Sequence, residues 1–463
     1  MKRPLEKGKS LGERVKNAAP VRIIVVSFFV LILLGTLLLI LPVSSAAGKI
    51  TNPVDAFFTA TSATCVTGLS VVDTTSYWSP FGQAVILFLI QLGGLGFSTF
   101  AIGFTLLVRR KLGIREIMLA SESTGGSAVD AVSLMKLMLG FTFACEALGA
   151  GLLMIRFVPI LGQNGIWASV FVAVSAYCNA GFDILGNVPG NSSMTAFAGD
   201  PLVSLTVSAL IIIGGLGFVV VQDIYQCRIR TRLHGKEPVR LQFFSQICLR
   251  GTAVLLVLGT LLFLVLEWNN TMQGLNFFEK LNAAFFQSTN TRTAGFASVR
   301  TAGEHDFTKV VTCILMFIGG CPGSTAGGIK ISTFVVLMVT VLSTMRGREE
   351  PVILKHRFSV SMVHKALTVA ILGLLLVFVD AGVISNCNAT VSFMDCLFEA
   401  TSAFATVGLS ANVTPRLEPV SKLLLCFTMF VGRVGPVSFG LSILMGRRGG
   451  GDSVLPEGRM LIG

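Results

Sequence analysis

The chain has 463 residues, of which 52% are hydrophobic and only 13% are charged, and its formal net charge is +12. A soluble domain usually carries about a quarter charged residues, so this composition predicts an integral membrane protein in a lipid bilayer. The positive charge does not indicate nucleic-acid binding, because the basic residues are confined to short blocks between apolar spans. The ten cysteines are scattered and form no CxxC pair, which favours small hydrophobic roles over a zinc site or a disulfide framework.

Apolar and basic segments alternate along the chain. Several apolar stretches contain about twenty residues, enough to cross a bilayer as a helix, and residues 21–41 are the first. The basic blocks are residues 2–22, 109–115, 228–240, 346–365 and 447–448. By the positive-inside rule, the chain should cross the plasma membrane several times, with both termini and the basic loops in the cytoplasm. The first apolar stretch is longer than the core of a typical signal peptide, so we expect a retained helix.

A fourfold repeat organises the sequence. Four short segments of similar composition end at Gly68, Gly181, Gly295 and Gly408, which are 113, 114 and 113 residues apart. Each glycine follows an amphipathic run of about a dozen residues, which is too short to cross a bilayer. A second glycine-rich element lies in the next apolar span of each repeat: Gly93-Gly-Leu-Gly, Gly214-Gly-Leu-Gly, Gly319-Gly-Cys-Pro-Gly and Gly432-Arg-Val-Gly. Each repeat is therefore predicted to be a long helix, a half-membrane helix, a glycine loop and a second long helix.

The predicted fold is an all-α integral membrane protein with four parallel helix–pore-loop–helix repeats around a pseudo-fourfold pore axis. Each repeat crosses the membrane twice, so all four begin on the same side and are related by an axis along the membrane normal. Eight transmembrane helices and four pore half-helices result. The predicted boundaries are residues 1–20 for a cytoplasmic N-terminal segment, 21–115, 133–230, 245–345 and 363–446 for repeats 1 to 4, and 447–463 for a cytoplasmic C-terminal tail.

The glycine loops suit a cation. Non-helical backbone at membrane depth must be buried or line a wet cavity, and its carbonyl oxygens can replace part of the hydration shell of an ion. The preceding half-helices aim the negative ends of their dipoles at the same region. The candidate selectivity-filter residues are Val66, Thr67, Gly68, Asn179, Ala180, Gly181, Thr293, Ala294, Gly295, Thr406, Val407 and Gly408, with potassium expected at the four glycines.

A family resemblance agrees with this interpretation. The loops are similar to the four filter sequences of the Trk/Ktr/HKT cation transporters: Cys-Val-Thr-Gly68-Leu, Cys-Asn-Ala-Gly181-Phe, Arg-Thr-Ala-Gly295-Phe and Ala-Thr-Val-Gly408-Leu. With the segment 319–330 after the third filter, the chain most resembles KtrB-type potassium uptake subunits. The resemblance implies a potassium-selective pore, often stimulated by sodium. It also implies a homodimer on a ring of cytoplasmic nucleotide-binding regulatory subunits of the RCK type. Sodium-selective members are associated with a serine at the first filter glycine, so Gly68 favours potassium.

A gate is predicted beneath the filter of the third repeat, where small and helix-breaking residues interrupt an apolar span. An arginine in the fourth repeat takes the place of a glycine in the other three, and a cation within a span is usually functional. The candidate gate residues are Gly319, Gly320, Gly323, Ser324, Thr325, Ala326, Gly327, Gly328, Lys330 and Arg433. The simpler alternatives are a kinked helix and a structural arginine bound by carbonyls of a neighbouring repeat. Asp380 and Lys330 lie near span ends, which favours snorkelling or interface roles over ion binding.

Three functions remain open on the sequence. The first is potassium uptake driven by the membrane potential, which needs no hydrolytic site in the chain. The second is a sodium or sodium–potassium symporter of the same fold, and the third is a non-conducting scaffold that recruits a cytoplasmic partner. Residues 323–330 nearly fit a phosphate-binding loop, but the lysine is one position late and no strand precedes it. We therefore expect no enzyme activity and no cofactor in this chain, with potassium as the substrate and sodium as a second candidate.

Overall fold

The computed structural model describes residues 20–96, 128–186, 193–197, 199–230, 240–297, 299, 301–348 and 350–436. Nearly all of the predicted N-terminal segment, the predicted C-terminal tail and the basic block 109–115 lie outside the described residues. The protein is mostly helical, with 72% of residues in helices. This confirms the predicted all-α class and the presence of membrane-type helices.

The described residues form fifteen α-helices and one small hairpin. The helices are α1 (Pro20–Ile40), α2 (Pro53–Cys65), α3 (Thr74–Tyr77), α4 (Pro80–Leu95), α5 (Ala128–Leu161), α6 (Asn164–Tyr177), α7 (Pro201–Leu216), α8 (Phe218–Ile224), α9 (Phe243–Leu266), α10 (Phe277–Asn290), α11 (Asp306–Phe317), α12 (Ile331–Met345), α13 (Val360–Cys387), α14 (Phe393–Ala405) and α15 (Pro419–Val434). The antiparallel hairpin pairs β1 (Val352–Ile353) with β2 (His356–Arg357).

Three of these helices are long and apolar enough to cross a membrane. They are α5 from Met138 onwards, α9 and α13, with 24, 24 and 28 residues. Within the described residues a fourth span results if α7 and the helix after it are counted together, although the two are bent by 96°. Shorter apolar helices, among them α4, α6 and α12, account for further membrane-type segments.

Four helices of 13 or 14 residues precede the glycine loops; we call α2, α6, α10 and α14 the pre-glycine helices. Capping residues fix where two of these helices begin. Pro53 occupies the first turn of α2, and the Asn52 side chain accepts a hydrogen bond from the Val54 amide at 2.9 Å. Ser392 caps α14 in the same way, with its hydroxyl oxygen 3.1 Å from the Asp395 amide. These helices form the core, because one phenylalanine in each is at most 2% exposed: Phe58, Phe171, Phe286 and Phe398.

Each pre-glycine helix also contacts the helix that follows the preceding glycine loop. The polar contacts are Trp167 Nε1 to Gln83 Oε1 at 2.9 Å, Ser204 Oγ to Asn282 Oδ1 at 2.9 Å, Lys309 Nζ to Asp395 Oδ1 at 2.7 Å and Lys422 Nζ to Asp55 Oδ1 at 2.8 Å. The last contact joins the end of the described chain to its beginning. The four helix pairs therefore close into a ring in chain order.

The second glycine-rich elements end helices. Helices α4, α7 and α15 each stop before a glycine with positive φ: Gly96 at 78°, Gly217 at 84° and Gly435 at 91°. The predicted second long helix of the second repeat is bent, because the chain turns by 96° at Gly217. Only glycine adopts this conformation without steric strain, so the bend is built into that position.

Candidate functional site

The four glycine loops follow the same backbone path. The residue two positions before each glycine has a positive φ, and so does the glycine itself. The angles are 58° and 95° at Val66 and Gly68, 58° and 70° at Asn179 and Gly181, 74° and 76° at Thr293 and Gly295, and 50° and 92° at Thr406 and Gly408. Positive φ is uncommon for residues other than glycine and strained for β-branched ones. Its recurrence at all four positions indicates a constraint that the loops share.

The structure brings the four glycines together in a closed ring. A methyl group added to any of them would collide with the backbone of the next loop. It would lie 2.4 Å from the carbonyl oxygen of Ala180 for Gly68, 2.7 Å from that of Ala294 for Gly181, 2.3 Å from that of Val407 for Gly295 and 2.1 Å from that of Thr67 for Gly408. All twelve predicted filter residues thus belong to four adjoining loops, and glycine is needed where the loops meet.

Backbone amides of the loops turn back to the pre-glycine helices. The Thr67, Ala180 and Val407 amides donate to carbonyl oxygens of their own helices at 2.7–2.8 Å, and the Ala294 amide does so at 3.0 Å. The Gly68 amide donates to the Ser62 hydroxyl at 3.1 Å. With these donors used, the loop carbonyl oxygens are available to meet a cation, beside the Thr67 and Thr406 hydroxyls, for which no partner is found among the described residues.

The third repeat is broken beneath the ring. Helix α11 ends at Phe317 and α12 begins at Ile331, so residues 318–330, which we call the broken segment, are not helical. The two ends of the segment lie side by side, because Gly319 N donates to Ile329 O at 2.9 Å and Ile331 N donates to Gly320 O at 3.0 Å. The expected interruption is therefore present, and the alternative of a merely kinked helix is wrong.

The broken segment lies against the residues that precede two of the glycine loops. The Thr325 hydroxyl is 3.4 Å from the Tyr177 carbonyl oxygen, at the end of α6. A methyl group added to Gly327 would lie 2.7 Å from the carbonyl oxygen of Ala405, the last residue of α14. The Cys321 amide donates to Gly215 O at 3.0 Å. The segment is thus held between the second and fourth repeats, next to the glycine ring.

Arg433 joins the broken segment to the first repeat. Its Nη1 donates to the Thr325 carbonyl oxygen, and its Nη2 donates to the carbonyl oxygens of Gly93 and, at 3.4 Å, Gly94. The guanidinium fork therefore spans three segments that are distant in sequence. Within the broken segment, Lys330 Nζ donates to Ala326 O at 2.5 Å. The candidate gate residues thus lie together in and around the broken segment.

Comparisons with known proteins agree with this arrangement. Residues 6–445 match the family described as TrkH, a cation transport protein. The chain is 38% identical to the Ktr system potassium uptake protein B of Bacillus subtilis over 91% of this chain and 92% of that protein. It is 36% identical to the potassium/sodium uptake protein NtpJ of Enterococcus hirae, over 97% and 98% of the two chains.

The fold has a solved relative as well. The crystal structure of the potassium transporter TrkH from Vibrio parahaemolyticus superposes with a TM-score of 0.68 at 19% identity, over 92% of this chain and 85% of that one. The chain belongs to the TrkH family of cation transport proteins. It is a multi-pass membrane cation transporter and not an enzyme. The predicted family resemblance is confirmed.

Two acidic residues of this TrkH-family chain, Glu267 and Glu304, lie close together and accept hydrogen bonds from neighbouring side chains. Glu267 follows α9 and accepts bonds from the Thr308 hydroxyl at 2.5 Å and the Asn270 amide at 2.7 Å. Burial raises its pKa, but the hydrogen bonds outweigh burial and lower the pKa overall. Glu304 lies beside it and accepts a bond from Gln287 Nε2 at 2.9 Å. Burial and the nearby Glu267 raise the pKa of Glu304 to about 8.

Asp380 is placed differently from the sequence expectation. It is fully buried inside α13, so the prediction of a snorkelling or interface residue is wrong. The Thr428 hydroxyl on α15 donates to its Oδ2, whereas no partner of Oδ1 is found among the described residues. The hydropathy of the span conceals this position, because hydropathy does not distinguish a lipid-facing side of a helix from a protein-facing one.

Proposed function

We propose that this chain is the potassium-selective, ion-translocating subunit of an uptake system in the plasma membrane. The observation that carries the proposal is the closed ring of four glycine loops with one backbone conformation. Such a ring presents carbonyl oxygens from four directions, which suits a dehydrated monovalent cation and opposes an anion. The pre-glycine helices direct their negative dipole ends at the same place.

The ion and its driving force follow from the same chemistry. A membrane potential contributes about 2.3 kcal/mol per charge for each 100 mV, which is enough to draw a cation inwards without hydrolysis. The Bacillus subtilis relative is named for potassium uptake, and Gly68 is not the serine that the family resemblance associates with sodium-selective members. We include stimulation by sodium in the proposal.

The broken segment is proposed as the gate. It lies beside the ends of α6 and α14, and Arg433 joins it to the first repeat. In the closed state it would obstruct the path beneath the ring, with the positive charge of Arg433 as an additional barrier. We propose that a ring of cytoplasmic nucleotide-binding subunits moves the segment, and that two copies of this chain assemble on that ring.

Uptake of rubidium into proteoliposomes, and complementation of a bacterium deficient in potassium uptake, test the proposal. Gly408→Ala should abolish uptake, because its methyl group would lie 2.1 Å from the Thr67 carbonyl oxygen. Gly151→Ala is the matched control, since nothing lies within 4 Å of a methyl group added on α5. Wild-type uptake by Gly408→Ala at equal protein levels would contradict the filter assignment.

A sodium–potassium symporter is the second candidate, because the Enterococcus hirae relative is named as a potassium/sodium uptake protein. Rubidium uptake measured with and without a sodium gradient separates the two functions. At zero membrane potential and with equal rubidium on both sides, a symporter accumulates rubidium when an inward sodium gradient is imposed, whereas a channel-like subunit does not. Gly68→Ser should shift the preference towards sodium in either case.

A further inference from the structure

A groove opens in the apolar surface where the first and second repeats meet. It has a volume of about 560 Å³ and lies between α4, α5 and α6. Three aromatic rings line it, those of Phe88, Phe143 and Trp167, and the first two are 55% and 54% exposed. The Trp167 ring is held in place because its Nε1 donates to Gln83 Oε1. The groove is therefore large enough, and well enough formed, for a small organic molecule.

One carboxylate lies in this groove. Glu146 on α5 lines it, is 5% exposed, and has both oxygens near a single amide, because Gln91 Nε2 is 3.1 Å from Oε1 and 3.4 Å from Oε2. Among the described residues no lysine, arginine or histidine forms an ion pair with it. Within the span Met138–Leu161, Glu146 lies about 12 Å from the first residue and about 22 Å from the last, at 1.5 Å per residue. A carboxylate at that depth is costly without a cation, and such groups usually face a cavity.

An equivalent groove between the fourth and first repeats carries no carboxylate. It has a volume of about 310 Å³, lies between α15, α1 and α2, and none of the described residues that line it is acidic. Phe430, two residues before Gly432, takes the place of Gln91, which is two residues before Gly93. We call the first the Glu146 groove (lined from residues 84–91, 143–150 and 167–174) and the second the Phe430 groove (29–32, 57–61 and 423–430). The acid is thus particular to one of two similar grooves.

The lining of the Glu146 groove limits the class of ligand. A hard metal cation needs more oxygen ligands than one carboxylate and one amide supply, and no group of three or more metal-binding side chains is found in the described part of the chain. The amines of phospholipid headgroups lie at the bilayer surface and do not reach this depth. An acyl chain would leave the carboxylate without a cation. An organic ammonium with an apolar body meets every condition, because it donates to the carboxylate, attracts aromatic rings and covers the apolar walls.

We propose that the Glu146 groove is a binding site for amphipathic amines, with the ammonium paired to Glu146 and the apolar body among the aromatic rings. The site adjoins the second glycine loop. The Cys178 sulfur is 3.8 Å from Gln91 Oε1 and 3.9 Å from Glu146 Oε1, and the next residue, Asn179, is where the loop turns to positive φ. A bound ammonium competes with Gln91 for the carboxylate, so occupancy lowers transport. That consequence rests on the proposed function, whereas the binding does not.

Photolabelling of the full chain in lipid nanodiscs measures binding directly. The probe is a benzylamine that carries a trifluoromethyl diazirine, and its control is the neutral benzyl alcohol with the same photoreactive group. The ratio of amine to alcohol labelling should be about tenfold or more higher in the Glu146 groove than in the Phe430 groove, as expected for a hydrogen bond to a charged group. Equal ratios in the two grooves would indicate sites for acyl chains only and would overturn the proposal. Absence of amine labelling from the Glu146 groove would overturn it as well.

Two substitutions test the site separately by charge and by space. Glu146→Gln keeps an acceptor for Gln91 but removes the negative charge, so it should lower the labelling ratio in the groove by about tenfold or more. Ala147 is exposed and lines the groove, so Ala147→Trp should exclude both probes. Leu148→Trp is the matched control, because Leu148 is 70% exposed on the same helix but does not line the groove, and it should keep wild-type labelling. An unchanged ratio in Glu146→Gln would overturn the ion pair and with it the proposal.

The effect on transport is measured as rubidium uptake by proteoliposomes in the dark, with and without the amine. A saturating amine should lower wild-type uptake by about fivefold or more, the lower limit of typical coupling between two sites, and washing should reverse the loss. Ala147→Trp should lose this sensitivity relative to its own untreated rate, and Leu148→Trp should keep it. Equal inhibition of both would place the amine elsewhere, for example in the glycine ring, and labelling without inhibition would uphold the site but overturn its effect on transport. A lack of uptake by untreated wild type would instead count against the proposed function.

Discussion

Arg433 offers the sharpest test of how the broken segment is held. Its side chain carries two separable properties, a positive charge and a fork that reaches carbonyl oxygens of Thr325 and Gly93 simultaneously. Arg433→Gln removes the charge and the fork. Arg433→Lys keeps the charge, but a single ammonium on a flexible stem cannot reproduce the planar fork. The two substitutions therefore separate an electrostatic barrier from a mechanical tether.

The size of the effect can be worked out from the contacts. A hydrogen bond to a charged group contributes about 1.5–3 kcal/mol, and the lower end applies here because Arg433 is only partly buried. Of the Arg433 bonds described above, the one to Thr325 joins α15 to the broken segment. Its loss of about 1.5 kcal/mol would shift the equilibrium between closed and open segments by roughly tenfold towards open.

The assay is rubidium uptake by proteoliposomes without any regulatory partner, at matched protein content. Arg433→Gln should raise basal uptake by roughly tenfold, and Arg433→Lys should raise it by an intermediate factor. Arg156→Gln is the control, because the Arg156 side chain is 53% exposed and the loss of its pair with Asp200 at 2.7 Å should leave uptake unchanged. If Arg433→Lys takes up rubidium at the wild-type rate while Arg433→Gln takes it up faster, the tether is refuted and the positive charge alone accounts for the effect. Unchanged uptake in both would make the arginine purely structural.

Three other contacts give measurable expectations. The charged atoms of Lys309 and Asp395 are 2.7 Å apart, and both side chains are largely buried. Reversing one charge should therefore lower the melting temperature, and exchanging the two residues should restore most of that loss. Single reversals without effect would rule out a contribution from the pair. The pKa of Glu304 rises from 4.5 to about 8 on burial, so the folded state keeps a proton that the unfolded state releases, and stability falls as pH rises across that window. Glu304→Gln should therefore reduce the drop in melting temperature between about pH 5 and about pH 9, and an unchanged drop would contradict the assignment. Asp380→Asn should leave the melting temperature unchanged or higher, because the amide can still accept from Thr428 and no described partner is lost at Oδ1; a clear decrease would reveal a charge partner.

The spacing and local density of glycine and proline predicted two features of the structure. The spacing of Gly68, Gly181, Gly295 and Gly408 marks the four loops that the structure brings together, because a glycine is needed wherever two backbones approach within a methyl radius. The interruption in the third repeat was also accessible, since glycine and proline at that density disfavour a helix irrespective of tertiary contacts. Both patterns can be recognised in the sequence without knowledge of the packing.

Other features depend on packing and carry no local signal. Val66 and Thr406 adopt positive φ although β-branched residues resist it, so the conformation is imposed by closure of the ring rather than by their own preference. Gly217 looked like one more small residue in an apolar helix, but a methyl group added to it would lie 2.7 Å from the Pro322 carbonyl oxygen, and the next residue, Phe218, donates its amide to Gly323 O at 3.1 Å. The burial of Asp380 likewise depends on which side of α13 faces the protein.

The third repeat differs from the other three in how the first glycine of its second glycine-rich element packs. The first glycine of the second glycine-rich element packs against a carbonyl oxygen near the end of the pre-glycine helix in its own repeat, where an added methyl group would lie 2.0 Å or less from it: Gly93 on Thr64, Gly214 on Tyr177 and Gly432 on Phe404. In the third repeat, Gly319 packs instead against the carbonyl oxygen of Gly327, at 2.0 Å. The broken segment therefore occupies the position that helix–helix contact fills in the other repeats. On the proposed gating role, movement of this segment would break its contacts with the Tyr177 and Ala405 carbonyl oxygens, whereas the helix–helix contacts at Gly93, Gly214 and Gly432 would stay in place.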